Sequence, residues 1–563
     1  MSTKTGWRRA AIAVSLTLCG MLPGVASGQE APTDPPLYDD LGDHHVEVAT
    51  QSERAQAYFD QGMRLYYAFN HAEAVRAFRA AQRLDANCAM CWWGEGLAFG
   101  PNINLPMDEE SARTAYAATQ EAVRRLDHAS PRERGLIRAL AVRYAEDAPA
   151  DRAHLDVAYA EAMGELAEQH PSDHEIRVLH AEALMDLRPW DYWTEDGQPQ
   201  PGMETALAGL RYVQDRNPEH PGACHFYIHA VEKLFPEDAV PCAERLAGLM
   251  PGAGHIVHMP GHIYIRVGRY REAIEANRHA IHADETYITD QRPAMGMYTA
   301  GYYPHNYDFL AFASMMVGQG DDAVESALKV AGLLPEELFA APGMGFLQHW
   351  SVRPLLFQVR FARWDDVLDR DAPPEGRPHS KAIWHYARAR ALAATGDVPA
   401  ARREVEGIRR VLASGDLEGL RMEFNASPDL IAIAERVATG WVEAADGRFD
   451  RAVEALREAV RREDALLYGE PPEWSVPTRQ DLGAVLLVAG RDADAQAAFE
   501  GDLERFPENG WSLRGLAEAL RAQGQDDEAE GVEARLARVW QGERGAHAGS
   551  HHAASASPRT PNH

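Results

Sequence analysis

Apolar residues recur every three or four positions over long stretches of the chain, most clearly in the segments 108–126, 131–146, 152–169 and 172–187. No useful length alternates apolar and polar residues with the two-residue period of a half-buried strand. The pattern predicts helices throughout. A slower recurrence of small residues overlies it. Gly62, Ala74, Phe78 and Ala81 stand at offsets 0, 12, 16 and 19. The same offsets return at Gly440, Ala452 and Leu456, and at Gly483, Ala495 and Phe499, which Pro507 follows. Gly261, Ala273 and Ala280 repeat them in the middle of the chain, as do Ala311 and Ala323. Adding about 34 residues carries Gly62 to Gly96, with Trp92 just before it, and leads from the Gly483 unit to Ala517 and Ala529. Small side chains recur in this way where two helices approach closely and a larger group would overpack the contact.

That period and those offsets are the signature of a tetratricopeptide (TPR) helical hairpin. Each hairpin can bury its apolar face only against its neighbours. The expected fold is therefore an all-α, TPR-like helical-hairpin solenoid, a superhelix carrying loop insertions. Insertions are expected at Pro101 to Asp108, Arg188 to Gly202 and roughly Thr286 to Pro304, and long loops in a repeat array are more often functional than accidental. The expected organisation is a signal peptide (1–28), an extended Pro/Asp-rich lead-in (29–48), an N-terminal array (49–335), a C-terminal array (336–541) and a disordered Ser/Ala/Pro/His-rich tail (542–563).

The signal peptide rests on Arg8 and Arg9, the apolar run Ala10 to Leu22, and the small residues Ala26, Ser27 and Gly28 before Gln29. It predicts a periplasmic or secreted protein. Leu18 is too bulky for the residue preceding a lipid-anchored Cys19, so a soluble product is expected. No second run of 18 or more apolar residues follows, and no transmembrane segment is expected in the mature chain. A hydrophobic content of 45% suffices for a packed core, whereas a net charge of −29 argues against nucleic acid as a partner. Beyond the signal peptide four cysteines remain, Cys88, Cys91, Cys224 and Cys242. In an oxidising compartment an even number favours disulfides. Cys224 and Cys242 fall on the two helices of one hairpin, where a bridge is possible. Cys88 and Cys91 form a C-x-x-C at a helix start, which could support redox chemistry, although a structural disulfide or two buried thiols is the plainer reading.

The sharpest chemical signal is a group of histidines. In a TPR hairpin the first helix lines the inner groove through its positions 2, 5, 9 and 12. With Gly261 as position 8, His255, His258 and His262 occupy positions 2, 5 and 9, on one side of a helix. The preceding unit offers His225, His229 and Glu232 as H-x-x-x-H-x-x-E, and the two H-x-x-x-H pairs lie 33 residues apart. The next unit adds His305 and Asp308. Nine of the 24 histidines fall between His220 and His305, so the enrichment is local. Paired imidazoles on neighbouring helices, with carboxylates beside them, can hold a divalent transition metal such as copper, zinc or iron. The competing reading is a polar groove lining that hydrogen-bonds a peptide. Pro260 threatens the arrangement, because it removes a helical hydrogen bond and could swing His255 and His258 off the line. Two loops could contribute a ligand pocket: Asn102 and Asn104 within Gly100 to Pro106, and Trp190, Asp191, Tyr192 and Trp193. The second could equally be an apolar plug. Phosphate-binding loops, dinucleotide fingerprints, G-x-S-x-G elbows and H-E-x-x-H are absent.

The strings C-A-M-C-W-W-G (88–94), G-P-N-I-N (100–104), P-W-D-Y-W (189–193), Y-I-H-A-V-E (227–232), H-M-P-G-H-I-Y (258–264) and Y-P-H-N-Y-D-F-L (303–310) resemble a family of exported bacterial TPR-containing proteins over roughly residues 40–335. The resemblance implies fold and export and brings no reaction with it. The sequence thus leads to an exported TPR solenoid that binds a transition metal, a small ligand or both in a His-rich groove. A metal-dependent enzyme using the same site is one alternative. A metal-free scaffold taking a protein or peptide partner in the groove is the other.

Overall fold

The computed structural model describes residues 34–340 and 343–542. The expected signal peptide, Cys19 and nearly all of the expected tail lie outside the described residues. Those described form α-helices joined by short turns, with no β-strand and only three isolated bridges. The all-α expectation holds. The four segments of clear helical period become the helices Glu109–Arg124, Pro131–Ala141, Ala153–Gln169 and His174–Asp186. No helix among the described residues is long and apolar enough to cross a membrane.

The chain divides into two compact units. One contains His44–Tyr66 and His71–Phe226; the other contains Tyr38–Asp43, Tyr67–Asn70 and everything from Tyr227 onward. The division falls within the expected N-terminal array. In the first unit successive helices pack on one another, as in His71–Leu84 on Ala89–Ala98 and His174–Asp186 on Met203–Arg216. The second unit continues the pattern with Tyr303–Met316 on Gly320–Leu333, Ser427–Ala445 on Phe449–Asp464, and Thr478–Val488 on Asp492–Arg505.

The small residues do what their spacing predicts. A Cβ on Gly62 would lie 2.5 Å from the Phe78 ring, and one on Gly94 would lie 2.4 Å from the same ring. Phe499 stands in the same way between Gly483 (2.5 Å) and Gly515 (2.2 Å), and Leu456 lies under Gly440 (2.6 Å). One large side chain thus fills the notch of its own hairpin and that of the next. This interlock sets the repeat spacing, and even a methyl group would have to displace an aromatic ring.

The second unit also closes on itself, which repeats that touch only their neighbours would not do. Trp511 Nε1 donates to the Met315 carbonyl at 2.7 Å, and Gln541 N to the Val317 carbonyl at 2.8 Å. A Cβ on Gly268 would meet the Pro507 carbonyl at 2.7 Å. The closing hairpins therefore lie against helices 196 or more positions earlier, and the loop 465–477 faces the histidine helices.

Two smaller departures bear on the site. The expected insertion at Thr286 begins later, because the helix Tyr270–Gln291 runs through that position. A single π-helical turn, Tyr298–Tyr302, then leads into Tyr303–Met316. Pro260 does break its helix, giving Gly254–His258 and Pro260–Arg266, but Met259 at the junction keeps a helical backbone conformation.

Candidate metal centre

The histidine cluster of the second unit is built from three places. His258 ends the helix Gly254–His258, His262 lies in the first turn of Pro260–Arg266, and His305 stands near the start of Tyr303–Met316. Each brings a ring nitrogen to within 4.8 Å of the other two. His258 and His262 are buried, and His305 is less completely so.

The hydrogen bonds on the outer ring nitrogens fix how these imidazoles present themselves. Asn277 Nδ2 donates to the Ala273 carbonyl at 2.8 Å, which orients the amide so that its oxygen faces His258. His258 Nδ1 lies 2.7 Å from that oxygen and must be the donor. His262 Nδ1 lies 2.9 Å from Glu470 Oε2 and donates in the same way. Both rings therefore turn Nε2 inward, and the two Nε2 atoms stand 2.9 Å apart. Two lone pairs at that distance repel unless a cation lies between them. Metal–nitrogen bonds of about 2.0–2.1 Å place neighbouring ligand atoms about 2.9–3.4 Å apart, so the spacing suits a shared ion. A proton is the alternative occupant. Burial pulls the His262 imidazolium down, but Glu232 and Glu470 outweigh it and raise its pKa to about 9. The His305 ring is pushed the other way, well below its ordinary value, by burial and then by His258 and His262. It stays neutral, the form that ligates metal.

Several residues that hold this arrangement carry no signal in a search for ligands. Asn277 stands 16 residues after Gly261, where the other hairpins have Phe78, Leu456 or Phe499, and a polar residue at an apolar packing position was the available clue. Asp284 accepts from Tyr298 Oη and Asn306 Nδ2, both at 2.7 Å, and fills the space beside Gly254. It ties the helix Tyr270–Gln291 to the His305 helix, and burial lifts its pKa to about 7. Glu470 comes from the far end of the unit, 208 positions from His262. Phe69, held at φ 55°, stacks on His255 at 5.2 Å.

The remaining predicted residues fall as follows. His229 and Glu232 lie on the other side of His262, with Glu232 Oε2 3.4 Å from His229 Nδ1 and 3.2 Å from His262 Nδ1. His255 packs between Phe69 and Tyr302 (4.6 Å between centroids), outside the His258–His262–His305 group. His225, in the first unit, is fully buried with its ring alongside Phe226. Asp308 is directed away from the group, a correction to the sequence reading. Its carboxylate pairs with the buried Arg353, which also reaches the Ser475 hydroxyl and the Pro472 carbonyl. Asp308 thereby anchors the loop that carries Glu470.

In the first unit Cys88 and Cys91 form a disulfide, and both are fully buried. Cys88 caps the helix Ala89–Ala98, its sulfur accepting from Cys91 N at 3.2 Å. The bond is structural, because no partner thiol can reach it. Cys224 is also in a disulfide, as is Cys242 in the second unit. The Asn102 amide is already engaged: Oδ1 accepts from the backbones of Asn104 (2.9 Å) and Leu105 (3.0 Å), and Nδ2 lies 3.3 Å from His71 Nδ1. Tyr192 and Trp193 are buried while Asp191 is exposed, so that loop is anchored by its aromatics and does not present them as a wall.

A further group of ligand-type residues, His44, Glu175 and His220, belongs to the first unit. Both rings place Nε2 3.2 Å from Glu175 Oε2. His220 Nδ1 accepts from Ala223 N at 3.3 Å, capping the helix that begins at Pro221. Its proton is then on Nε2, which is already donated to Glu175. This group is a hydrogen-bonded clasp.

No protein-family model matches the chain. No curated protein matches it in sequence either. Among solved structures it is similar to yeast Tom70, at 11% identity over 86% of this chain and 99% of that one, with a TM-score of 0.29. It is also similar to a human IFIT1 dimer with m7Gppp-AAAA, at 12% identity over 87% and 90%, with a TM-score of 0.30. A third is the Cut9–Hcn1 hetero-tetramer of the APC/C, at 14% identity over 84% and 79%, with a TM-score of 0.29. Likenesses this distant carry no argument, and the repeat assignment rests on the hairpins and their interlocking residues.

Proposed function

We propose that this protein is an exported helical-repeat protein that binds a divalent transition metal through His258, His262 and His305. The observation that carries the reading is the pair of outer hydrogen bonds. Asn277 and Glu470 hold both Nδ1 atoms as donors, so two buried Nε2 atoms meet 2.9 Å apart, close enough to share one cation, beside a third imidazole. An imidazole whose far nitrogen donates to a carboxylate or amide oxygen is the usual form of a metal-bound histidine. Three nitrogens suit copper or zinc, with iron possible once carboxylates join them. A three-ligand site leaves a position for water or substrate, so a catalytic role at the same ion is compatible with the geometry. Export accords with the disulfides, which persist in oxidising compartments.

Metal content of protein purified without a histidine tag and reconstituted with zinc or copper tests the reading. Near-stoichiometric metal is expected in the wild type, with its loss in His258→Ala/His305→Ala. A wild type that retains no more metal than the double variant leaves the repeat scaffold, with a protein or peptide as its ligand, as the function.

A further inference from the structure

We infer that the centre is dinuclear, with a second divalent ion on the far side of His262, held by His229 and Glu232 and completed by Glu470. The inference rests on the metal site proposed above and extends it.

Glu232 and Glu470 are both buried, their side chains 1% and 3% exposed, and both carboxylates approach one ring nitrogen. Glu470 Oε2 lies 2.9 Å and Glu232 Oε2 3.2 Å from His262 Nδ1. A single N–H can point at only one acceptor, and this one points at Glu470. Glu232 Oε2 also lies 3.4 Å from His229 Nδ1, yet neither oxygen of Glu232 makes a hydrogen bond. Arg266 supplies little to the pair. It stands 3.7 Å from Glu470 and donates instead to the carbonyls of Glu232 (3.3 Å) and Lys233 (3.1 Å). A carboxylate removed from water without a donor is among the costliest arrangements in a protein interior, and buried charges are found paired or bound to metal.

The groups around the orphaned carboxylate are those that would hold an ion. His229, Glu232 and His262 each bring one ligand-type atom to within 4.8 Å of the others. His229 and Glu232 are three residues apart at the end of one helix, so a single turn presents both. The His262 ring stands between the two places, with Nε2 toward His258 and Nδ1 toward the carboxylates. The two positions differ in chemistry. The first is made of three imidazoles, whereas the second is rich in carboxylate oxygen and favours a harder ion such as Mn²⁺, Fe²⁺ or Zn²⁺.

The test uses the full chain stripped with a chelator, titrated with Co²⁺, dialysed and measured by mass spectrometry. The wild type is expected to retain two ions per chain, Glu232→Gln one, and Glu232→Gln/His258→Ala none. Circular dichroism checks that each variant keeps the wild-type helicity; where one does not, the wild-type stoichiometry decides alone. A wild type that saturates at one ion per chain overturns this inference and leaves the proposed function standing. Glu232→Gln retaining two ions overturns it as well. A wild type holding no metal removes both.

Discussion

Replacing Asn277 by leucine separates what that position does for packing from what it does for chemistry. At the equivalent offset the other hairpins place Phe78, Leu456 or Phe499, so leucine belongs there by size and polarity. The helix pair should form, and the secondary structure should be unchanged. The loss falls on His258, whose Nδ1 donates to the Asn277 oxygen at 2.7 Å in a fully buried setting. Leaving that N–H without an acceptor costs about 1–3 kcal/mol. It also releases the ring to take the other tautomer or to turn. Removing such an outer hydrogen bond from a metal ligand usually weakens the metal by about 10–100-fold, or roughly 1.4–2.7 kcal/mol. Asn277→Asp provides the control in the opposite direction, since a carboxylate oxygen accepts from the same N–H, and metal affinity should be retained. The assay is competition against a chromophoric chelator, with circular dichroism to confirm the fold. A folded Asn277→Leu protein with unchanged affinity would refute the claim that Nδ1 acceptors aim these imidazoles at an ion.

Four further outcomes follow from the same geometry. Gly483→Ala should destabilise the protein by about 1–3 kcal/mol in chemical denaturation, because its methyl would lie 2.5 Å from the Phe499 ring. Gly531→Ala, helical with nothing within 4 Å of the added carbon, should be neutral or stabilise by up to about 1 kcal/mol; equal effects at both sites would contradict the interlock. Stability should also fall in mild acid through a buried relay in which Ser427 Oγ donates to His379, His379 to His349 (3.0 Å), and His349 to the Glu473 carbonyl. Burial lowers the His379 pKa from 6.5 to about 3, so the unfolded chain binds the extra proton between those values. That contribution is complete above about pH 6.5 and declines as pH drops toward 3, by about 1.4 kcal/mol per unit; a His379→Asn protein with the wild-type slope in pH-dependent denaturation would count against it. Finally, Cys88 and Cys91 should resist reductant and alkylation until denaturant is added, and their rapid labelling in the native protein, read by mass spectrometry, would show the bond to be exchangeable.

Much of the fold was legible because the interlock leaves its mark on residue size. Gly62 with Phe78, Gly440 with Leu456 and Gly483 with Phe499 lie 16 residues apart because one turn of helix-to-helix contact demands it. His258, His262 and His305 were also legible, since spacings within one helix and one repeat decide which side of the hairpin they take. Asp308 was misread by the same logic. Its register is correct for the group, but the buried Arg353, 45 positions on, neutralises it instead, and no local spacing announces that partner.

What the sequence determined by itself was everything set by contacts within about one repeat: helices, their pairing, the small-to-large notches, and a helix face rich in imidazole. What only the tertiary structure decided was which partners those imidazoles meet. Glu470 reaches His262 across 208 positions because the last hairpins close against Met315 and Val317. Asn277 acts as an acceptor only because Gly261 leaves room above it. Local period fixes where a side chain points, whereas the long-range closure fixes its hydrogen-bond partner.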